Sequence, residues 1–405
     1  MKKITVIGDI MVEPPFLAQA KKGDEYDFYT PLRALEHVFD KSDYVIGNLE
    51  TPLAGEEAGY TSRIVSFNAP DSVAEAVKKI GVNVVSTANN HCLDRGFAGL
   101  ERTLATLDRI GLDHTGTYTK GFKGDRNHYF EIGDTKVALI AYAHSTNYGI
   151  TLDLPEGDTA VCVNNSRPLK GALPTYPRLP ENYYTTLKCV RELAGRTLLW
   201  EETILLRKAM GITIGAIDEL VPPETVKEID EFAGKIEADY KTAKENGADI
   251  VLFYPHVGGQ FNTVPGKYSE TFLKRCSKIG FDAMFAAHSH TTQKAEYING
   301  NPCFYSMGNV TMSPCTFYQI PESLAEYGLA AHLYVDDKKI KKTTISIIKM
   351  VEDENTPLRV VPVDILYAEL TGEAKEKLMS DVSEVYERVT GRELPEGRLQ
   401  KEYEL

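Results

Sequence analysis

The sequence predicts an α/β protein with a largely parallel sheet, and three observations carry that prediction. An amphipathic stretch that ends in glycine and runs into a short apolar strand recurs at Lys79-Ile80-Gly81-Val82, Arg109-Ile110-Gly111-Leu112, Glu245-Asn246-Gly247-Ala248 and Lys278-Ile279-Gly280-Phe281. A glycine just past a helix takes the left-handed conformation that ends it without a Cβ clash. The strands that come next are apolar on both faces, as strands sandwiched between layers are. Strand and helix alternate, the rhythm of parallel pairing through helical crossovers.

In chain order, residues 4–7 are apolar but too short a run for a signal-peptide core of about 7–15 residues, so they read as a buried first strand. Further strands are expected at 43–47, 83–87, 249–254 and 282–286. Ser72 and Glu75 have the spacing of a capping box before Val73, Ala76, Val77 and Ile80. Leu100, Leu104, Leu107 and Ile110 form a second helical stripe. Residues 164–220 are rich in proline at first and lack clear periodicity, which reads as an insertion and a candidate cap over the site. Pro222 and Pro223 open a helix whose stripe runs through Val226, Ile229, Phe232, Ile236, Tyr240 and Ala243. Residues 294–306 and 328–350, with a turn at Asp336-Asp337-Lys338-Lys339, read as adjacent strands of a second sheet packed on the first. Beyond Thr371, the spacing of Leu378, Val382, Val385 and Val389 predicts a helix docked on the surface.

Composition narrows the function. The 405 residues carry a net charge of -13, which argues against nucleic acid or an anionic membrane as partner. A small phosphate-bearing substrate stays compatible, because a bound metal reverses the local field. No apolar run approaches the roughly 18 residues of a membrane span, so no membrane anchor is expected. Six scattered cysteines without a CxxC pair point to reduced thiols and a cytoplasmic location.

Ligands of open α/β sheets bind outside the carboxyl ends of the strands. Those ends deliver Asp9, then Asn48 and Glu50, then Asn90 and His91, then His256, then His288 and His290. In extended chain His288 and His290 would share a face, as would Asn48 and Glu50. One imidazole alone is ordinarily a satisfied core or surface group. So many polar groups converging on one edge cost desolvation without building a core, and a metal gives them a reason. His37, His128 and His332 are assigned no role, being placed on a helix and on edge or surface strands. His114 and His144 fall at the margins of the site.

Gly8-Asp9-Ile10-Met11, Gly47-Asn48-Leu49-Glu50-Thr51-Pro52, Asn89-Asn90-His91 with Asp94 and Gly96, the His288/His290 pair and Tyr305-Ser306-Met307-Gly308-Asn309 together resemble the CapA family. These are bacterial capsule or poly-γ-glutamate synthesis proteins related to calcineurin-like metallophosphatases. The resemblance covers roughly residues 3–310 and implies a four-layer α-β-β-α sandwich of the metallophosphatase type. On it, residues 1–365 form one domain carrying the 164–220 insertion, and 366–405 a C-terminal helical extension. It implies a divalent metal site of one or two ions (Mn, Fe, Zn or Mg) held by Asp9, Asn48, Glu50, Asn90, His256, His288 and His290.

The same resemblance implies a hydrolase in which a metal-activated water attacks a phosphoester or a γ-glutamyl amide. His91 would be the general acid, oriented by Asp94, and Asn309 would contact substrate. Arg63 and Arg95 are candidates to meet a small-molecule or polyanionic polymer substrate. Two departures stand out: Met11 occupies the position of a ligand histidine, and Asn48 that of the bridging aspartate. Ala287 also replaces a glycine before the histidine pair. Glu50 would supply the missing carboxylate. One ion is therefore expected to bind tightly through Glu50 or Asn48, Asn90, His256 and His288, and another weakly or not at all through Asp9, His290 and Glu50. The alternative is a non-catalytic accessory protein of capsule or poly-γ-glutamate synthesis.

Overall fold

The structure is a computed structural model that describes residues 1–405 except 63–65, 145, 148–180, 197–201, 203–205, 207–208, 211–222, 315, 317–322 and 354–355. Two sheets carry the architecture. Among the described residues the larger has nine strands: β1 (Lys2–Ile10), β2 (Tyr44–Leu49), β3 (Val84–Ser86), β4 (Asp113–Thr115), β11 (Asn309–Thr311), β12 (Tyr327–Asp336), β13 (Lys339–Asp353), β14 (Thr356–Pro362) and β15 (Tyr403–Glu404). Its path is β14-β13-β12-β1-β2-β3-β4, with β11 beside β1 and β15 beside β13. The second, six-stranded sheet comprises β5 (His128–Ile132), β6 (Thr135–Ala143), β7 (Ile250–His256), β8 (Ala283–Phe285), β9 (Ala295–Ile298) and β10 (Asn301–Phe304), in the order β9-β10-β8-β7-β6-β5.

The period-2 alternation of the strands sorts their side chains into layers. On β6, Val137, Leu139 and Ala141 face a core shared with Ile4 and Val6 of β1 and with Ile250, Leu252 and Tyr254 of β7. The intervening Ala138, Ile140, Val251 and Phe253 face outward onto α5 (Pro223–Glu245) and α6 (Lys267–Ser277), through Ile229, Ile236, Phe272 and Leu273. On the far side, Ile7, Val45 and Val85 of the first sheet pack on α1 (Pro14–Ala20) and α2 (Ser72–Lys79). Helix, sheet, sheet, helix: the α-β-β-α sandwich is present. Each fully buried Leu or Phe of these layers contributes about 1.5–3 kcal/mol.

Parallel pairing of β1, β2, β3 and β4 in one sheet, and of β6, β7 and β8 in the other, brings strand carboxyl ends to a common edge. Tyr254 donates a 2.6 Å hydrogen bond to the carbonyl of Ile7, tying the two sheets together just below that edge.

Several expectations change. Residues 294–306 join the second sheet as β9 and β10, whereas 328–350 extend the first sheet antiparallel to β1, and the second sheet begins already at β5. The turn between β12 and β13 is present, with positive φ at Asp337 and Lys338 as a tight hairpin requires. Ser72 does not cap α2: the N-cap is Asp71, whose carboxylate is engaged by Arg102 and Arg109. Gly111 ends α3 (Gly96–Ile110) at φ 71°, as its spacing predicts. Within 164–220 the described part includes a helix, α4 (Glu181–Ala194); the proline-rich stretch lies outside the described residues, so its reading as a cap does too.

After α7 (Val363–Glu369), helix α8 (Gly372–Thr390) buries Leu378, Val382, Val385 and Val389 in the core cluster while Glu373, Glu376, Glu384 and Glu387 stay exposed, a surface helix docked through the expected stripe. His332, expected on an edge or surface strand, is buried on β12 between Thr5 and Ser346. Among the described residues no helix is long and apolar enough to cross a membrane.

Candidate metal centre

Asp9 ends the regular part of β1, flanked in register by Asn48 on β2 and Asn309 on β11. Gly8 makes that placement possible. A Cβ at position 8 would lie 2.0 Å from the carbonyl oxygen of Gly308, the same oxygen that accepts a hydrogen bond from the Asp9 amide at 3.0 Å. Glu50 comes directly after β2, its amide held by the carbonyl of Ile10.

His256 closes β7, and His288 and His290 lie beyond β8 in a loop with unusual backbone. His288 has φ 103° and His290 φ 54°, so the extended geometry anticipated for the pair is not what joins them. Left-handed backbone at two non-glycine residues costs on the order of 1–3 kcal/mol each and persists only where surroundings impose it.

These side chains form two overlapping groups. Glu50, His256 and His288 bring ligand atoms within 4.8 Å of one another, and so do Asp9, Glu50 and His290. Glu50 belongs to both. All are at most 5% exposed. Glu50 Oε1 lies 3.2 Å from His256 Nε2 and 3.8 Å from His290 Nε2, yet no described residue donates an N–H to either of its oxygens.

The surrounding amides brace the groups. Asn48 donates to Asp9 Oδ1 at 2.7 Å and accepts from Asn89 at 3.2 Å, so in this orientation it steadies Asp9. The oxygen of Asn90 sits 2.8 Å from His256 Nε2.

Burial governs the ionisation here. It pushes Asp9 up to about 8, helped by the charge of Glu50, and raises Glu50 as well. The same burial drives His256 down to about 4 and holds His288 and His290 below the usual histidine range. Neutral imidazoles and two crowded, buried carboxyls suit a divalent cation, which takes lone pairs and offsets the charge. The donor set therefore fits the implied metal.

Beside the groups stands His91. Its Nδ1 is 2.6 Å from Asp94 Oδ2 and its Nε2 4.0 Å from Glu50 Oε1. Burial works against its charged form, but the Asp94 carboxylate overcomes this and raises the imidazole above its ordinary value. Asp94 does not cap α3, whose N-cap is Arg95; it also accepts the amide of Phe67.

Two expectations about substrate contacts meet side chains that already have partners, and a third lies outside the described residues. Asn309 is 1% exposed and donates to the carbonyls of His290 and Ala325, leaving its Oδ1 2.9 Å from His290 Nδ1; it holds the histidine loop instead of facing substrate. Arg95 is already engaged with the carbonyls of Ala58 and Gly59. Arg63 lies outside the described residues.

Past the end of β6 stand His144, placed by the sequence at the margin of the site, and Asn147, which sequence reasoning missed. The amide of His144 donates to the carbonyl of His256, and its ring stacks on Tyr268 at 4.7 Å. Asn147 donates its backbone amide to Asn90 and sets its Nδ2 3.4 Å from His91 Nδ1. Both lie just past the carboxyl end of a strand, where ligands of such sheets bind, and the same rule finds them once β6 is recognised as a strand of the site.

The sequence profile of the family described as bacterial capsule synthesis protein PGA_cap matches residues 3–313. The capsule biosynthesis protein CapA of Bacillus anthracis is 22% identical over 311 residues, which is 76% of this chain and 58% of that protein. The PGA biosynthesis protein CapA of Bacillus subtilis strain 168 is 21% identical over 277 residues, 68% of this chain and 54% of that one. The chain thus spans little more than half the length of these curated relatives. A hypothetical protein from Thermus thermophilus, known from its crystal structure, superposes with a TM-score of 0.43 at 13% identity, covering 86% of this chain and 99% of that one.

Proposed function

The chain belongs to the bacterial capsule synthesis protein family, and from that premise we propose that it is a metal-dependent hydrolase acting on a phosphoester or a γ-glutamyl amide. The observation that carries this reading is Glu50, a buried carboxylate shared by two ligand triads, to neither oxygen of which a described residue donates an N–H. Glu50, His256 and His288, with Asn90 beside them, would hold one divalent ion, and Asp9, Glu50 and His290 a second, weaker one. Such an ion supplies Lewis acidity and a water of lowered pKa.

The protein's own part is positioning and proton transfer. Asp94 keeps the His91 imidazole oriented and favours its protonated form, so that Nε2 can deliver a proton to a leaving oxygen or nitrogen. The side-chain oxygen of Asn90 and the side-chain amide of Asn48 keep His256 and Asp9 in place. The names of the relatives favour a substrate connected with capsule or PGA polymer.

A second reading, a non-catalytic accessory protein of capsule synthesis, is favoured by one residue. Met11 is fully buried with Phe67, Phe261, Met312 and Ala325, so the chain after Asp9 brings an apolar wall where a further ligand would complete the second group. Metal per chain decides between them, measured by elemental analysis after reloading with Mn, Zn or Fe. Bound metal that is lost in His256→Ala and His288→Ala, with hydrolysis of phosphodiesters or γ-glutamyl amides by the loaded protein, is the expected result. Absence of stoichiometric metal under every loading overturns the hydrolase reading and leaves the accessory role.

A further inference from the structure

The loop that carries His288 and His290 is held from a direction outside the stretch matched to the family. On one side Asn309 of β11 fastens His290 through its ring and its carbonyl. On the other, Thr291 is fully buried and its hydroxyl donates to the carbonyl of Ser323 at 2.6 Å. Into this junction reaches Arg388, from the last turn of α8. One of its terminal nitrogens donates to Thr291 Oγ1 at 2.9 Å and to the Ser323 carbonyl at 2.7 Å. Its other terminal nitrogen bonds Glu384 at 2.7 Å, so the side chain is 8% exposed with its fork directed by the helix itself. Helix α8 lies beyond residues 3–313 and is anchored in the core by Leu378, Val382, Val385 and Val389.

We propose that Arg388 is a positioning residue for the metal centre, locking the His288–Thr292 loop in its left-handed conformation and thereby setting the affinity of the Asp9–Glu50–His290 group. Two non-glycine residues at positive φ stay there only if neighbours over-determine them; the Phe261 amide on the Ser289 carbonyl, the His288 amide on Asp9 and Asn309 fix the His288–His290 part, and the Arg388–Thr291–Ser323 triangle fixes its far end. A buried guanidinium bonded to a hydroxyl and a carbonyl is a rigid, two-acceptor clamp that an ammonium reproduces only in part. Thr291 directly follows His290, so slack at Thr291 becomes slack in the ligand. Partners that hold a ligand in place typically affect metal affinity about 10–100-fold. The inference rests on the metal reading above, and its test separates the two.

The test compares the full chain with Arg388→Ala, Arg388→Lys, Thr291→Val and, as a control on the same helix, Lys377→Ala. Two quantities are measured: hydrogen exchange of the amides of residues 288–292 in metal-free protein, and Mn²⁺ affinity by titration. Arg388→Ala is expected to speed exchange across 288–292 while the sheet amides stay protected, and to weaken one class of Mn²⁺ site by about 10–100-fold. Arg388→Lys should recover part of both, and Lys377→Ala should match the parent.

Should Arg388→Ala fail to fold, Thr291→Val removes the hydroxyl without touching the helix and is expected to loosen the same loop. Unchanged exchange at 288–292, or faster exchange with unchanged Mn²⁺ affinity, overturns the proposal. A parent protein that takes up no metal ion at all defeats the hydrolase reading, and the exchange data then decide the role of Arg388 by themselves.

Discussion

Glu50 Oε1 lies 3.2 Å from His256 Nε2, and no described residue donates an N–H to either oxygen of that buried carboxylate. A polar group left in this state inside a protein costs stability unless something else satisfies it. Its position, common to two groups that could hold a metal ion, gives those lone pairs a use.

Glu50→Gln tests that use in two opposed directions. Metal per chain is expected to fall at both groups, because Glu50 is common to them. The metal-free variant is expected to be more stable than the parent by about 1 kcal/mol, since an amide can donate to the acceptors around it. Elemental analysis and chemical denaturation read the two effects; retained metal would refute the shared role of Glu50.

His91 and Asp94 separate chemistry from metal binding. His91→Ala is expected to lower turnover by about 10²–10⁴-fold with metal content unchanged. Asp94→Asn should cost less, about 10–100-fold, because the imidazole stays but loses the carboxylate 2.6 Å from Nδ1. Steady-state kinetics on metal-loaded protein would show it, and full activity in His91→Ala would remove that residue from the reaction.

Gly8 is predicted to tolerate no side chain. An alanine Cβ would meet the Gly308 carbonyl oxygen at 2.0 Å, backbone against backbone, where no rotamer change brings relief. Gly8→Ala is expected to cost about 3 kcal/mol and to displace Asp9. Thermal unfolding and metal titration check this, and wild-type behaviour in both would contradict the close approach.

Glu402 gives the pH dependence. Burial opposes its ionisation, but proximity to His332 and donors from Lys3, Tyr334 and Thr344 depress it to about 2. A folded-state value below the unfolded one, ordinarily about 4.3, stabilises the protein above that ordinary value and is lost as pH falls toward 2. Screened by partial exposure, the contribution is about 1–2 kcal/mol. Glu402→Gln should show that deficit at pH 7, and the gap should narrow below about pH 4.5. Urea unfolding at both pH values measures it; a gap independent of pH would discount the carboxylate.

Much of the chain was legible from local rules. Glycine-terminated helices, doubly apolar strands and polar strand ends located the layers and drew attention to Asp9, Glu50, Asn90, His91, His256, His288 and His290, because each signal is encoded within a few consecutive residues. The hairpin at Asp337 and Lys338 was visible for the same reason. What failed was whatever depended on partners distant in sequence. Ser72 reads as a cap until Asp71 is seen bound to Arg102, and Asn309 reads as a substrate contact until His290 is seen against it.

The sequence by itself thus determined the fold class, the sheet edge and the chemical character of the site, since hydrophobic period and residue type are local properties. Only the tertiary structure decided which strands share a sheet, that Glu50 joins two ligand groups, and that Arg388 of the last long helix meets Thr291 beside His290. Those relations join residues far apart in the chain. They arise from the close packing of layers whose mutual registry no single segment encodes.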